Sequence, residues 1–483
     1  MDVGRIRLVG TRCPAQGGVE YRLSWATTFP ILKLRIKSFK FCSCVGGDEQ
    51  PADVLVGSMA SILFPSPTLR AWGDVLQWGE WSFFTRPPSR PKHFRIDGMS
   101  HRVLVPVTNP LGGIRTYMLY NMKHLHDAGF RFTFLSERGA AFDLFKKDVE
   151  NWADTEFVES PGNGALTTIR SIRTALERGR FDLIHSQGLF AGTVAAAANY
   201  FRRIPHLITL HDVIVPLNDV PGRFKTLKKA VSAFVTRRAT VIIPVSKDCE
   251  MNHRSVFPSW NRGPVRIQTI SNGIDIERIL HSRTAFESNP AAATLRGELD
   301  IAPDVVLGGF FGRFMPQKGF EYLIDALAIL DKNGYGDRFR LVATADLHGY
   351  QQEYISAVKQ RPEVARMVHF VPAVGDITPL LCQVDALVMP SLWEACCLLP
   401  MEAMVLGVPV IGSDCIGLRE VIADTPSFVP KHADAESLAE TLMAFTDNPD
   451  QVSAKRFAEA AQRRFDVRPA VDELLKLYLG NVK

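Results

Sequence analysis

The chain is 483 residues long, 46% hydrophobic and 22% charged, a globular composition on a length that exceeds one ordinary core; two domains with room for an appendage are expected. Its net charge of +5 is not spread: residues 1–98 hold 13 Lys/Arg against 8 Asp/Glu, and the remainder balances. A neutral body carries no electrostatic footprint for nucleic acid.

The first 98 residues carry four of the seven tryptophans and three of the eight cysteines, with stretches such as SFFTRPPSRPKHF that keep neither a helical nor a strand period. They read as a poorly ordered or accessory N-terminal extension, with Met99 a candidate for the real start. MDVGRIRLVG has no apolar signal-peptide core, and no run of about 18 apolar residues is available to span a membrane, so a cytoplasmic location is expected. The cysteines form no CxxC pair and no cluster with histidine, which argues against a structural zinc or a disulfide framework.

From Met99 the pattern changes. HRVLVPV reads as a buried strand, followed by the turn glycines Gly112 and Gly113 and an amphipathic helix over GGIRTYMLYNMKHLHDAG. RFTFLSE, FDLIHSQ, PHLITLHD and TVIIPVS read as further strands, with helices over ALTTIRSIRTALERG and TVAAAANYFRR. A second series begins near Val305: strands VVLGGFFGR, RFRLVATA, MVHFVPAV, ALVMPS and VPVIGSD, with a helix over GFEYLIDALAILDKNG. Short apolar strands alternating with helices predict α/β architecture with parallel sheets covered on both faces. Two doubly wound domains follow, an N-terminal one over 99–285 and a C-terminal one over 286–483, joined in the polar stretch between Ile274 and Ala302. Ligands of such sheets sit beyond the carboxyl ends of the strands.

Two loops at those ends carry suitable chemistry. GGFFGRFMPQKGFEYL sets Arg313 and Lys318 between a strand and a helix, where two cations beside a helix N-terminus suit a diphosphate. LWEACCLLPMEAMVLG sets Glu394 on a loop and Glu402 in the first turn of a helix that begins near Pro400 and stops at Gly407. Carboxylates accept hydroxyl hydrogen bonds, often two at a time, so two acids facing one guest suit a ribose or a sugar ring. Taken singly, each reads as a solvated surface charge, or for Glu402 as an acid stabilising its own helix N-terminus.

Taken in order, the motifs resemble the nucleotide-sugar domain of the retaining glycosyltransferases of family four. The carrying residues are Gly312-Arg313, Lys318-Gly319, Pro390-Ser391, Glu394, Glu402-Ala403-Met404, Gly407, Pro409-Val410-Ile411 and Gly417 to Glu420. TISNGID at Thr269 to Asp275, GGIRTYMLYNMKHLHDAGF and ITLHD look like further segments of the same family. The resemblance implies the GT-B fold: two Rossmann-like, doubly wound domains facing a central cleft, the first binding the acceptor and the second a nucleotide-diphosphate sugar. It implies transfer of a hexosyl unit, with retention of configuration, to a saccharide, lipid or small-molecule acceptor, with no metal and no cofactor.

Carried over residue by residue, Arg313 and Lys318 bind the donor diphosphate and stabilise the charge of the leaving group. Glu402 holds ribose hydroxyls, Glu394 a sugar hydroxyl, and the backbone N–H groups of Cys397, Leu398 and Leu399 reach sugar and phosphate. Gly112 and Gly113 bring a loop to the donor without side chains in the way. His211 contacts the sugar near the reacting carbon; Asp212 and His185 are weaker candidates for the acceptor, and Asp376 for the nucleobase. The implied mechanism is a same-face substitution in which the leaving phosphate assists deprotonation.

Three positions depart from the family pattern. Cys397 stands beside Cys396 where glycine is usual, Ile416 replaces the first glycine of a pair, and RFRLVATADLHGY lacks a G-x-G turn. The cysteine side chains are expected to narrow the sugar pocket. GRFKTLKKAVSAFVTRRA, residues 222–239, reads as a basic amphipathic helix, which the resemblance links to peripheral contact with the inner membrane face; a solvated helix face is the plain alternative. Two other functions stay open. One is a non-catalytic sugar-nucleotide-binding relative, on account of the altered loop at 395–397. The other is an NAD-dependent oxidoreductase using Gly112-Gly113 with Glu137, although LGGIRTYM lacks the third glycine.

Overall fold

A computed structural model describes residues 7–12, 19–24, 101–215, 225–263, 265–289, 294–345 and 351–482. The chain divides into two compact units, Met1–Arg86 and Pro87–Lys483. Of the first, the described part is an antiparallel strand pair, Arg7–Arg12 with Val19–Ser24. Most of the extension, and Met99 with it, lies outside the described residues.

The second unit holds two sheets in which every strand pair is parallel. The first sheet comprises β1 (Arg102–Pro106), β2 (Arg131–Glu137), β3 (Glu156–Ser160), β4 (Leu183–Gln187), β5 (His206–Leu210), β6 (Val241–Pro244) and β7 (Arg266–Ile267). Their spatial order is β3-β2-β1-β4-β5-β6-β7, with Val103 opposite both Phe132 and Leu183. β4, β5 and β6 are buried at every residue, which requires cover on both faces. The cover comes from helices α1 (Gly112–Asp127), α2 (Ala140–Asp148), α3 (Ala165–Arg178), α4 (Leu189–Asn199), α5 (Lys225–Thr236) and α6 (Lys247–Val256). The five strands expected here are present, and the edge strands β3 and β7 are additional.

The second sheet comprises β8 (Val306–Phe310), β9 (Phe339–Ala345), β10 (Val368–Pro372), β11 (Ala386–Met389) and β12 (Val410–Gly412), in the order β10-β9-β8-β11-β12. Around it run α7 (Phe320–Lys332), α8 (Leu399–Val405) and α9 (Leu418–Ile422). This is the doubly wound pair that the alternating pattern predicts.

In each sheet the strand order reverses once, between β1 and β4 and between β8 and β11. A crevice opens beyond the carboxyl ends at such a switch point. The loops that follow β8 and β11 carry Arg313, Lys318 and Glu394, and the loop after β1 carries Gly112. These four residues therefore stand at the two switch points.

The last helix, α10 (Arg468–Leu479), crosses the division drawn at residue 285. Its Ala470, Leu474, Leu477 and Tyr478 complete the core that holds Phe130, Phe132 and Leu207, and the Tyr478 ring meets Phe130 edge-on at 4.9 Å. Among the described residues no helix is long and apolar enough to cross a membrane.

Candidate active site

The loops after β8 and β11 are laced together by backbone approach. Gly319 has φ +64°, and a Cβ there would stand 2.0 Å from the Pro390 carbonyl oxygen, so only glycine lets the loops meet. Leu392 N–H donates to the Gln317 carbonyl at 2.8 Å, and Gln317 Nε2 donates to the Trp393 carbonyl at 2.9 Å. This brings Lys318 Nζ to 2.6 Å from Glu394 Oε1, which also accepts from Ser391 Oγ at 2.9 Å. The pair is largely dry, with side-chain exposures of 17% and 8%. Burial disfavours the ammonium, but the facing carboxylate outweighs it and holds the Lys318 pKa above its ordinary value. On the other side, a Cβ on Gly417 (φ +81°) would stand 2.0 Å from the Glu394 carbonyl oxygen. Glu394 N–H donates to the Ile416 carbonyl at 2.9 Å. That bond uses backbone alone, so isoleucine serves there as well as glycine would.

Glu402, in the first turn of α8, is met from across the cleft: Tyr120 of α1 donates its hydroxyl to Oε1 at 3.2 Å. Burial raises the Glu402 carboxyl to about 7, against the pull of the Tyr120 bond and the Arg278 charge, and nearby Asp376 pushes the same way as burial. Asp376 accepts from Ser282 Oγ at 2.5 Å and from Thr378 N–H at 3.0 Å. Partial burial opposes its charge, yet these bonds hold its pKa below the usual carboxylate value. Arg313 is exposed and lies against the first domain, its guanidinium 3.6–3.9 Å from where a Gly112 Cβ would stand. Gly112 has φ +55°, whereas a Cβ on Gly113 would meet open space. Of the two glycines, position 112 is the one whose backbone favours glycine.

His211 follows β5, with Nε2 2.8 Å from Gln187 Oε1 and its ring edge-on to Tyr117 at 4.6 Å. Burial lowers its pKa to about 3, so the imidazole is neutral. Asp212 beside it is exposed. His185 corrects an expectation: it is fully buried, with Nδ1 2.7 Å from Tyr478 Oη and Nε2 2.7 Å from Thr209 Oγ1. Both ring nitrogens are engaged inside the core, and no acceptor contact is open to it.

Burial pushes the Cys396 thiol up to about 12 and the Cys397 thiol higher still, so both are neutral. The backbone around them is tied to the first domain: Ser246 Oγ donates to the Ala395 carbonyl at 2.5 Å and Asn272 Nδ2 to the Cys396 carbonyl at 3.1 Å. α8 starts at Leu399 with Pro400 second, and Leu398 caps it without a side-chain bond. Among the described residues no group of three or more His, Cys, Asp or Glu side chains is arranged to hold a metal ion. Sequence reasoning passed over Tyr120 and Gln317 and gave Ser391 no role of its own, yet all three contact the predicted acids directly.

Residues 306–448 match the family described as glycosyl transferases group 1, and residues 111–278 the one described as glycosyltransferase family 4. The chain belongs to the group 1 glycosyltransferases. This glycosyltransferase is similar to the alpha-maltose-1-phosphate synthase of Mycobacterium tuberculosis, 26% identical over 327 residues, 62% of this chain and 79% of that protein. It is similar also to the D-inositol 3-phosphate glycosyltransferase of Saccharomonospora viridis, 27% identical over 316 residues, 62% and 70% of the two chains. Anabaena Alr3699/HepE, solved in complex with UDP and glucose, shares the fold at a TM-score of 0.63 and 21% identity, covering 79% of this chain and 100% of that one. Sucrose-phosphate synthase from Thermosynechococcus elongatus does so at 0.63 and 17%, covering 79% and 99%. The fold is GT-B, and the protein is a glycosyltransferase. The oxidoreductase alternative falls, because the family matches the chain on both sides of the cleft.

Proposed function

We propose that the protein transfers a hexosyl unit, with retention and without a metal ion, to a hydroxyl of a saccharide, lipid or small-molecule acceptor. The observation that carries this is the pair of cations at the second switch point: Arg313 exposed against Gly112, and Lys318 held by Glu394. They bind the donor diphosphate and neutralise its charge as it leaves, the work a metal does elsewhere. Glu402 takes the ribose hydroxyls in exchange for Tyr120, Asp376 lies toward the base, and Glu394 takes a sugar hydroxyl. The N–H groups of Cys397, Leu398 and Leu399 reach sugar and phosphate, Gly112 and Gly113 line the approach, and neutral His211 meets the sugar near its anomeric carbon. The acceptor hydroxyl attacks that carbon on the face the phosphate leaves; the carbon–oxygen bond to phosphate breaks, and a phosphate oxygen takes the proton. The acceptor is assigned to the 99–285 domain and the donor to 286–483. UDP-glucose is the first donor to try, since HepE is described in complex with it. A panel of UDP-, GDP- and ADP-sugars should show nucleotide release and transfer for one base, lost in Glu394→Ala. Binding without release from any donor would favour the non-catalytic sugar-nucleotide-binding reading.

We also assign the protein to the cytoplasm, peripheral at the inner membrane face. The helix concerned, α5, is shorter than the 222–239 stretch, of which 222–224 lie outside the described residues. Its outward face is apolar: Leu227, Val231 and Phe234 are each at least half exposed, and Phe201 beyond α4 is 85% exposed. Tyr200 stacks on Phe234 at 6.2 Å, and exposed Arg202, Arg203, Arg237 and Arg238 are neighbours in sequence, Arg238 lying over the Tyr200 ring at 4.6 Å. An apolar ridge with arginines beside it suits an anionic bilayer interface. Sedimentation with phosphatidylglycerol vesicles should fall about tenfold for Leu227→Glu/Phe234→Glu, and less for Lys228→Glu/Lys229→Glu. Undiminished binding of the first variant would remove the idea.

A further inference from the structure

α6 grips both sides of the proposed site, although its sequence, KDCEMNHRSV, is almost wholly polar. At its first turn it is held by the donor domain. Glu420 accepts the N–H groups of Lys247 and Asp248, at 3.0 and 2.8 Å, where unpaired helix N–H groups favour a carboxylate. Asp248 in turn accepts from Arg419 Nε and Nη2 at 2.8 and 2.7 Å and from Gly417 N–H at 2.8 Å. Gly417 is the residue packed on the Glu394 carbonyl, and Ser246, which caps α6, donates to the carbonyl of Ala395 next door.

The same helix holds the histidine loop. Asn252 Oδ1 accepts from Ile214 N–H at 2.7 Å, and its Nδ2 donates to the Ile214 carbonyl at 3.0 Å. Cys249 Sγ donates to the Asp212 carbonyl at 3.2 Å, and His253 Nε2 lies 3.8 Å from Asp212 Oδ1. Two-pronged grips at both places leave little freedom to slide, and the hydrogen-bonded helix between them is stiff.

We propose that α6 is a strut fixing the Glu394 loop relative to the His211 loop, with Asp248 and Asn252 as positioning residues for sugar transfer. The inference rests on the assignment of Glu394 and His211 to the donor sugar. Misplacing one loop by about 1 Å is enough to lower turnover about a hundredfold without removing any donor contact. Asp248 and Asn252 are not among the residues assigned to the donor, so their loss should appear in kcat and spare KM.

The test uses the full chain with UDP-glucose, or the panel donor that is turned over, and four variants: Asp248→Ala, Asn252→Ala, the double variant, and His211→Ala. Each positioning variant should lower kcat about tenfold or more with donor KM within about threefold of wild type. The double variant should be no slower than the slower single, while the denaturation losses of the two singles add. Amides 210–214 should gain exchange protection on donor binding in wild type and lose that gain in Asp248→Ala. Wild-type kcat in both singles, or kcat losses that multiply in the double, overturns the strut. If His211→Ala is impaired and the positioning variants are not, the strut alone falls. If His211→Ala keeps full kcat, the site assignment falls and the strut with it.

Discussion

Lys318→Met should lower transfer about a thousandfold and destabilise the fold, and Glu394→Gln added to it should restore stability without restoring transfer. The Lys318–Glu394 contact at 2.6 Å is a largely buried ion pair, so removing one partner strands the other in a place water barely reaches. Breaking such a pair costs about 3–5 kcal/mol, most of it the desolvated charge left behind rather than the worth of the pair. Glutamine at 394 removes that charge and keeps an acceptor for Ser391 Oγ, which bonds the same oxygen as Lys318. The folded state recovers, but Arg313 is left to meet the leaving diphosphate without its partner cation. Denaturation midpoints and nucleotide release separate the two effects. A Lys318→Met enzyme within about tenfold of wild type would take the lysine off the diphosphate.

Arg313, Lys318, Glu394 and Glu402 are legible in the sequence because glycine and proline mark where buried strands end and helices begin. The partner each residue finds is not. Glu402 meets Tyr120 across 282 residues, and His185 is satisfied by Tyr478 from a helix 293 residues away. A histidine at a strand end looks like a site residue until the far end of the chain fills in beside it. β3 escapes notice because EFVES is a half-exposed edge strand with one fully buried residue, so no apolar run announces it. α6 escapes for a related reason: its buried residues are Asp248, Cys249, Glu250 and His253, and hydrophobic periodicity cannot register a helix whose inward face is polar. Its signals were local, namely Ser246 at the cap, Asp248 and Glu250 in the first turn, and His253 and Arg254 in the last. Cys396 and Cys397 drew attention for their bulk, but the bonds their loop makes to the first domain were out of reach: Ser246 and Asn272 hold its carbonyls from more than a hundred residues away.

Donor affinity should rise about tenfold per pH unit up to neutrality and then level, because Glu402 must be ionised to accept two ribose hydroxyls and its carboxyl titrates near 7. Stability should run the opposite way. The unfolded carboxyl titrates near its ordinary value of 4.5. Between that pH and about 7 the unfolded chain has released a proton that the folded chain still holds, so stability falls as pH rises through this window and is flat above it. The shift from 4.5 to about 7 corresponds to about 3 kcal/mol at 1.36 kcal/mol per unit. Glu402→Gln removes the titration. It should match wild type near pH 5, exceed it in melting temperature at pH 8, and bind donor weakly with no pH dependence. Donor binding near pH 6 should also release close to one proton, read by calorimetry in buffers of different ionisation enthalpy, as the ribose draws Glu402 into its charged form. A variant that lost affinity without gaining stability at pH 8 would show that the carboxyl was already ionised in the free enzyme, held so by Tyr120 and Arg278, and that burial is not what sets its charge.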